Sequence, residues 1–365
     1  MADYPILKDQ ISAAWLTQLA ALLHQQHPAF PLDAFANLPH QPDFIDAGLK
    51  QRIKLVSDQV WQQLQLDFAS AMQLLMPLSP QLKGLPALCL PQLVQDYGMQ
   101  HPAQAMQALA VFTRDSTAEF AIRPFLQAEP QATLQQLLLW SQHPDEHLRR
   151  LASEGSRPRL PWGQALPLFK REPWHTWPIL QNLLQDPSLY VRRSVANHCN
   201  DISKDHPDWL LDRLESLYGT HPHTDWIIKH ALRDLLKKRH PRALALFNLA
   251  PLAVNAQIEL LTPTVAYGNT LQFVAQLTFV EPAPQLRLEF AIDFVGANGQ
   301  WRHKVFQWLK RRDAQGTLRL PKQYRFVDLT TRTHYAGVHR LSLIVNGQLV
   351  SSAEFTLIND KATAG

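Results

Sequence analysis

Apolar residues recur at spacings of three and four along residues 12–23, 49–76 and 133–140, the periodicity of amphipathic helices. This texture runs from about residue 11 to residue 246, with strand signals nearly absent. Proline is frequent, 27 in all. Pro86, Pro130, Pro144, Pro187 and Pro207 fall between the periodic stretches, where proline ends one helix or opens the next, so many short helices are predicted. After Pro251 the period changes to two, in QIELL, LQFVAQLTFV, LRLEFAIDFV, WRHKVFQWL, HRLSLIVNG and LVSSAEFTL. Asn298-Gly299 and Asn346-Gly347 each lie between alternating runs, a strong hairpin signal. About seven short strands over the last stretch of chain fit an immunoglobulin-like sandwich. Tyr335 is expected at a tyrosine corner of that sandwich, and the tail 360–365 is expected to fray.

The helical part repeats itself. HPDEHLRRLAS (143–153) matches DPSLYVRRSVA (186–196) at an offset of 43 residues, and each follows a leucine-rich helix, LQQLLLW or LQNLLQ. A helix pair recurring at this period is the signature of HEAT-type repeats, which stack into a continuous core. PDWLLDRLESL followed by HTDWIIKHALRDLLKK reads as a degenerate third copy. The predicted architecture is mainly α: a HEAT-like repeat α-solenoid over residues 1–250, then a small all-β immunoglobulin-like sandwich over 251–365.

Composition narrows the function. At 365 residues with 46% hydrophobic and 18% charged residues, the chain has material for a large core and is too apolar to be disordered. No apolar run approaches the ~20 residues of a membrane helix, and the first ten residues lack the layout of a signal peptide. A cytoplasmic protein without membrane association is expected, with Cys89 and Cys199 as free thiols. Charge is uneven: residues 1–145 carry 7 Lys+Arg against 12 Asp+Glu, 146–250 carry 16 against 11, and 251–365 carry 12 against 8. A basic balance that begins mid-chain suits a polyanion-binding surface.

The sequence holds no phosphate loop, GxGxxG, HExxH, CxxC or GxSxG, so no metal site and no cofactor are expected. His198 beside Cys199 reads as two helix residues on different faces. Three segments stand out. In residues 149–162, an arginine-rich helix with Gly155 as its expected C′ residue runs into a proline-spaced loop. There Arg149, Arg150, Arg157 and Arg159 surround Glu154 and Trp162, the residue types of a phosphate-gripping site with one reactive corner. Glu154 stands at a helix C-terminus, where the dipole favours cations instead. In residues 113–126, Ser116 and Glu119 have the spacing of a capping box. Finally, Lys229, Arg233 and Lys237, with Lys238 and Arg239 beside them, form a cationic stripe expected on one face of one helix.

STAEFAIRPFL (116–126), LRRLASEGSRPRLPW (148–162) and YVRRSVANHCNDISKDHP (190–207) together resemble the AlkC family of bacterial alkylpurine DNA glycosylases, relatives of the AlkD HEAT-repeat glycosylases. The order of domains resembles the longer AlkC subtype, so the resemblance spans essentially the whole chain. It implies hydrolysis of the N-glycosidic bond of cationic alkylated bases, chiefly 3-methyladenine and 3-methylcytosine, in duplex DNA that is bent to expose the lesion. The family's catalytic positions match Glu119, Glu154, Trp162 and Asp201, and its phosphate-gripping arginines match Arg150, Arg157 and Arg159. Arg192, Arg193, Asn197 and Lys204 lie within the matching motif.

A base alkylated at N3 is cationic and leaves as a neutral molecule, so the protein has chiefly to stabilise the positive charge developing on the deoxyribose. Glu154 and Glu119 are assigned to that task, with one of them or Asp201 orienting water, and Trp162 to a cation-π contact with sugar or base. With no lysine beside these carboxylates in the motif, a monofunctional enzyme that leaves an abasic site is expected. The basic segment Lys310, Arg311 and Arg312, read as a turn, and the loop 330–334 with Arg332 are candidates for a second grip on the duplex, and a monomer is expected. The competing reading is a non-catalytic HEAT-repeat scaffold for DNA or protein, which gains nothing from carboxylates set among its arginines.

Overall fold

The first α-helix starts where Ser12, in extended backbone, accepts the Trp15 amide at 3.2 Å and caps Ala13–Gln26. A computed structural model of the chain describes residues 7–249, 251–328 and 333–358. The periodic stretch 49–76 is two helices. Gln65 turns left-handed (φ 51°) after Leu49–Leu64, and Asp67 caps Phe68–Leu75 by accepting the Ser70 amide. Both keep a buried apolar stripe, so the break leaves the periodicity intact.

Three helix pairs follow: Pro130–Trp140 with Glu146–Gly155, Trp177–Leu183 with Leu189–Ile202, and Pro207–Leu214 with Pro222–Ala231. The matched motif falls on the second helix of the first two pairs, and the match is structural. Arg149 donates through Nη1 to the carbonyls of His143 and Pro144 (2.9 and 2.6 Å), and Arg192 donates to those of Asp186 and Pro187 (2.8 and 2.7 Å). Each arginine ties down the turn that enters its own helix. Arg149 also pairs with Asp186 (2.6 Å), which joins one repeat to the next.

The chain divides into two compact units, Met1–Ala231 and Leu232–Gly365. The cationic stripe expected on one helix is broken at that point. Lys229 lies on Pro222–Ala231, Leu232 leaves the helix, and Arg233 and Lys237 lie on a separate short helix, Arg233–Lys237. The spacing of four continues in sequence, but no single helical face carries it.

In the second unit eight strands form two sheets: β1 (Val254–Leu260), β2 (Thr264–Ala266), β3 (Thr270–Phe279), β4 (Ala283–Val295), β5 (Trp301–Ala314), β6 (Thr317–Arg325), β7 (Gly337–Val345) and β8 (Gln348–Ile358). The orders are β1-β3-β6 and β2-β8-β7-β4-β5, antiparallel except for β2 with β8. Phe273, Phe290, Ile292, Leu341, Leu343 and Phe355 share the core between them. Asn346 and Gly347 form the two-residue turn from β7 to β8, both with positive φ (45° and 80°), as the dipeptide predicts. Strand β6 contains Pro321 and lies at a sheet edge, where a missing N–H leaves no ladder bond unmade. Lys310, Arg311 and Arg312 are in β5, an edge strand, and not in a turn. Tyr335 is exposed and takes no corner role; its carbonyl meets His339 Nε2. Thr330 to Arg332 and the tail 360–365 lie outside the described residues.

Candidate active site

Three carboxylates that a surface protein would leave in water are buried here: Glu119, Glu154 and Asp201 are 8%, 7% and 2% exposed. Guanidinium groups account for this. Arg150 grips Glu119 with both terminal nitrogens (2.7 and 3.4 Å), donates to Thr117 Oγ1 (3.0 Å) and reaches Glu154 at 3.8 Å. Arg157 donates Nη1 to Glu154 Oε1 (2.7 Å) and Nε to Asp201 Oδ2 (2.9 Å). Lys204, itself exposed, adds a contact to Asp201 at 3.3 Å. The chain Glu119–Arg150–Glu154–Arg157–Asp201 alternates in sign, with one carboxylate more than guanidinium groups.

Burial pushes the Glu154 carboxyl up, but Arg157 and Arg150 outweigh it and hold the group below the usual range. Burial likewise disfavours charge on Arg150 and Arg157, and the neighbouring carboxylates reverse that. The unfavourable position of Glu154 in the last turn of its helix is thus offset by two cations.

The Glu119 side chain is engaged by Arg150, so the expected capping box does not form. Ser116 ends the helix Pro102–Asp115 and donates to the Gly84 carbonyl. Gly155 is the last residue of its helix and does not have positive φ. Its role is close packing, since a Cβ there would lie 2.5 Å from Ile122 Cγ2. His198 is fully buried, and burial lowers it to about 3 despite the Ser153 carbonyl on Nδ1 (2.9 Å). As a neutral ring it joins its helix to the residue preceding Glu154. No group of His, Cys, Asp and Glu among the described residues is arranged to hold a metal ion.

Glu119, Glu154 and Arg157 share the wall of a cleft of about 640 Å³ with Trp162, Phe120 and Lys50. The rest of the lining is largely apolar and includes Leu49, Ile53, Leu85 and Leu88 from the N-terminal helices. Asp201 is not in the lining and stands behind Arg157. Trp162 is 65% exposed, so it is not packed away behind Pro158 and Pro161. Its backbone is left-handed (φ 64°), a conformation that costs a non-glycine residue about 1–3 kcal/mol and that functional sites often retain.

The remaining expected site residues are dispersed. Arg159 is partly exposed and bidentate to Asp205 (2.6 and 3.1 Å). Arg192 braces its turn, as above, while Arg193 on the same helix is exposed. Asn197 is half-buried one turn before Asp201. Lys229 is exposed above the Tyr218 ring, and Arg332 lies outside the described residues.

Two residues of the site escaped sequence reasoning. Arg123, 1% exposed, donates to three carbonyls at the helix end and in the loop that carries Trp162: Gln164 (2.6 Å), Gly155 (2.9 Å) and Arg157 (2.9 Å). Burial, with Arg157 nearby, lowers it to about 10. The available signal was an arginine inside the apolar run AEFAIRPFL, where only carbonyl acceptors can satisfy it. Lys50 enters from the N-terminal helices, whose sequence carries no motif.

The fold has a counterpart among solved structures. Alkylpurine DNA glycosylase AlkC of Pseudomonas fluorescens, solved bound to DNA containing an abasic site analog, is 38% identical and superposes with a TM-score of 0.93 over 97% of this chain and all of that one. The chain belongs to the AlkC family. Another relative of this AlkC-type chain is the uncharacterized protein YhaZ of Bacillus subtilis (strain 168), 42% identical over 362 residues, 97% of this chain and 99% of that protein. The family model for the C-terminal Ig-like domain of uncharacterised protein YhaZ matches residues 254–359. The fold is therefore as expected for AlkC: helical repeats followed by an immunoglobulin-like sandwich.

Proposed function

We propose that the protein is a DNA glycosylase that hydrolyses the N-glycosidic bond of cationic alkylated bases, 3-methyladenine and 3-methylcytosine, in duplex DNA and leaves an abasic site. The observation that carries this reading is a pair of buried carboxylates, Glu119 and Glu154, on the wall of one cleft with an exposed tryptophan. A cationic base departs with the bonding electron pair and becomes neutral, so no acid is needed on the leaving group. Positive charge then grows on the sugar, where ionised Glu154, with Glu119 beside it, stabilises it. Water adds at the anomeric carbon and gives up a proton to a carboxylate and then to solvent. Trp162 faces the cationic base or sugar with its ring, a contact worth about 0.5–2 kcal/mol that a neutral base does not earn.

The arginines of the motif divide in this scheme. Arg150 pairs with Glu119 and, together with Arg157, keeps Glu154 charged, and Asp201 positions Arg157. The exposed cations Arg193, Lys204 and Lys229, with Arg159, are the backbone-phosphate contacts on the first unit, and Lys237, Lys310 to Arg312 and Arg332 are the candidates on the second. Arg192 drops out of the set, because its donors hold its own repeat. The protein acts as a monomer on chromosomal DNA in the cytoplasm, without metal or nucleotide cofactor. No helix among the described residues is long and apolar enough to cross a membrane.

Strand cleavage is not part of the reaction, although Lys50 lies in the cleft. Borohydride should trap no covalent adduct between the protein and an abasic duplex, and an adduct lost in Lys50→Met would make the enzyme bifunctional. The decisive experiment compares wild type with Glu154→Gln for release of free base from methylated duplex, with binding to an abasic-analogue duplex at the same salt. Wild type should release 3-methyladenine or 3-methylcytosine, and the variant should bind while its rate falls on the order of a hundredfold or more. Wild type that binds and releases nothing would leave the scaffold reading in its place.

A further inference from the structure

Trp162 presents a puzzle of support. The residue is 65% exposed, so little packing fixes the side chain, and its left-handed backbone is one that the surroundings must hold. The loop has two fastenings. From below, Arg123 binds the carbonyls of Gly155, Arg157 and Gln164. From the side, the ammonium of Lys50 donates to the carbonyl of Trp162 itself, across 112 residues of chain. The same ammonium lies 4.9 Å from the centroid of Phe120, the residue after Glu119. Lys50 is the second residue of the helix Leu49–Leu64, so its backbone is fixed although its side chain is exposed.

We propose that Lys50 is a positioning residue of the active site: it joins the Trp162 corner to the Glu119–Phe120 segment and so fixes the direction of the Trp162 ring across the cleft. Its catalytic consequence rests on the glycosylase reading; its structural consequence does not. Methionine at this position keeps the apolar stem and removes the donor, while arginine keeps a donor and a charge. Because Lys50 is exposed, neither change threatens the fold.

The first test needs no DNA. The full chain is labelled with 5-fluorotryptophan, and the Trp162 resonance is identified among the ten tryptophans by its loss in Trp162→Phe. In Lys50→Met this signal should narrow and shift toward the free amino acid while the other nine stay in place, and Lys50→Arg should restore it. A Trp162 signal unmoved in Lys50→Met overturns the proposal, whether or not the protein excises bases. The second test is a double-mutant cycle on single-turnover excision. Lys50→Met should slow the wild-type reaction about tenfold, the loss expected for one hydrogen bond from a charged donor, and should cost nothing further in Trp162→Ala. A loss of the same size in both backgrounds, with a shallower salt dependence of binding, would make Lys50 a phosphate contact and not a positioning residue.

Discussion

The helices Glu146–Gly155 and Leu189–Ile202 occupy equivalent places in successive repeats, yet only the first places a carboxylate on the cleft wall. At the offset of 43 residues, Arg149 and Arg192 are equivalent and do the same work, bracing the turn before the helix. The next position already differs: Arg150 turns to Glu119 and Glu154, while Arg193 remains at the surface. Glu154 itself corresponds to Asn197. A carboxylate buried at this point of a repeat needs cations on both sides, and the first helix has them from Arg150 and, beyond its end, from Arg157. The second helix contributes support, with Ser194 donating to Ser153 beside Glu154 and Asp201 holding Arg157. One repeat faces the cleft and its neighbour stands behind it.

The largest test of this division is Arg157→Met. It leaves Glu154 and Asp201 buried without their shared partner, and removal of one member of a buried ion pair costs about 3–5 kcal/mol. The urea midpoint should drop accordingly, and excision should fall even under conditions where the variant is folded. A mild loss of stability with full activity would mean that the carboxylates reach solvent. Arg192→Met should be intermediate: it frees two turn carbonyls and costs about 1–3 kcal/mol, while the folded fraction keeps its excision rate. Loss of rate at full folding would return Arg192 to the site.

A subtler test reads the charge on Glu154. Its folded pKa lies below the ordinary 4.5, so excision should not fade between pH 7 and 5, and the acid limb should lie below that ordinary value. The stability that Glu154 contributes follows the same sign. It is present above the unfolded value and lost as pH falls through the lower folded one. Arg150→Met removes one of the cations, so the acid limb of the excision profile should move up. A limb that stays in place would assign it to another group.

The two halves of the chain differ in how openly the sequence declares them. Alternation and the two Asn-Gly pairs announce the sandwich because each strand has one face to bury, but β6 is hidden, since Pro321 interrupts its pattern and only an edge position excuses it. The repeats are legible because Arg149 and Arg192 act on carbonyls within six residues of themselves. The breaks at Gln65 and Leu232 are not, since a helix can end without glycine or proline and leave the apolar spacing undisturbed. In the site, Glu119, Glu154, Trp162 and Asp201 fall in segments whose resemblance can be recognised. Lys50 cannot be found that way: its partners lie 70 and 112 residues away, and only the fold brings them together.

The smallest effect is expected at Arg193, the counterpart of Arg150 that is left at the surface. Away from buried networks a surface change moves stability by no more than about 0.5 kcal/mol, so Arg193→Ala should unfold with wild type. If the residue contacts a phosphate, affinity for methylated and unmethylated duplexes should fall by the same factor, because backbone contacts carry no base information. The slope of log affinity against log salt should also become shallower by about one. The excision rate of bound substrate should not change. A fall in that rate with affinity intact would place Arg193 in the reaction and would erase the distinction between the two repeats at the position where it is sharpest.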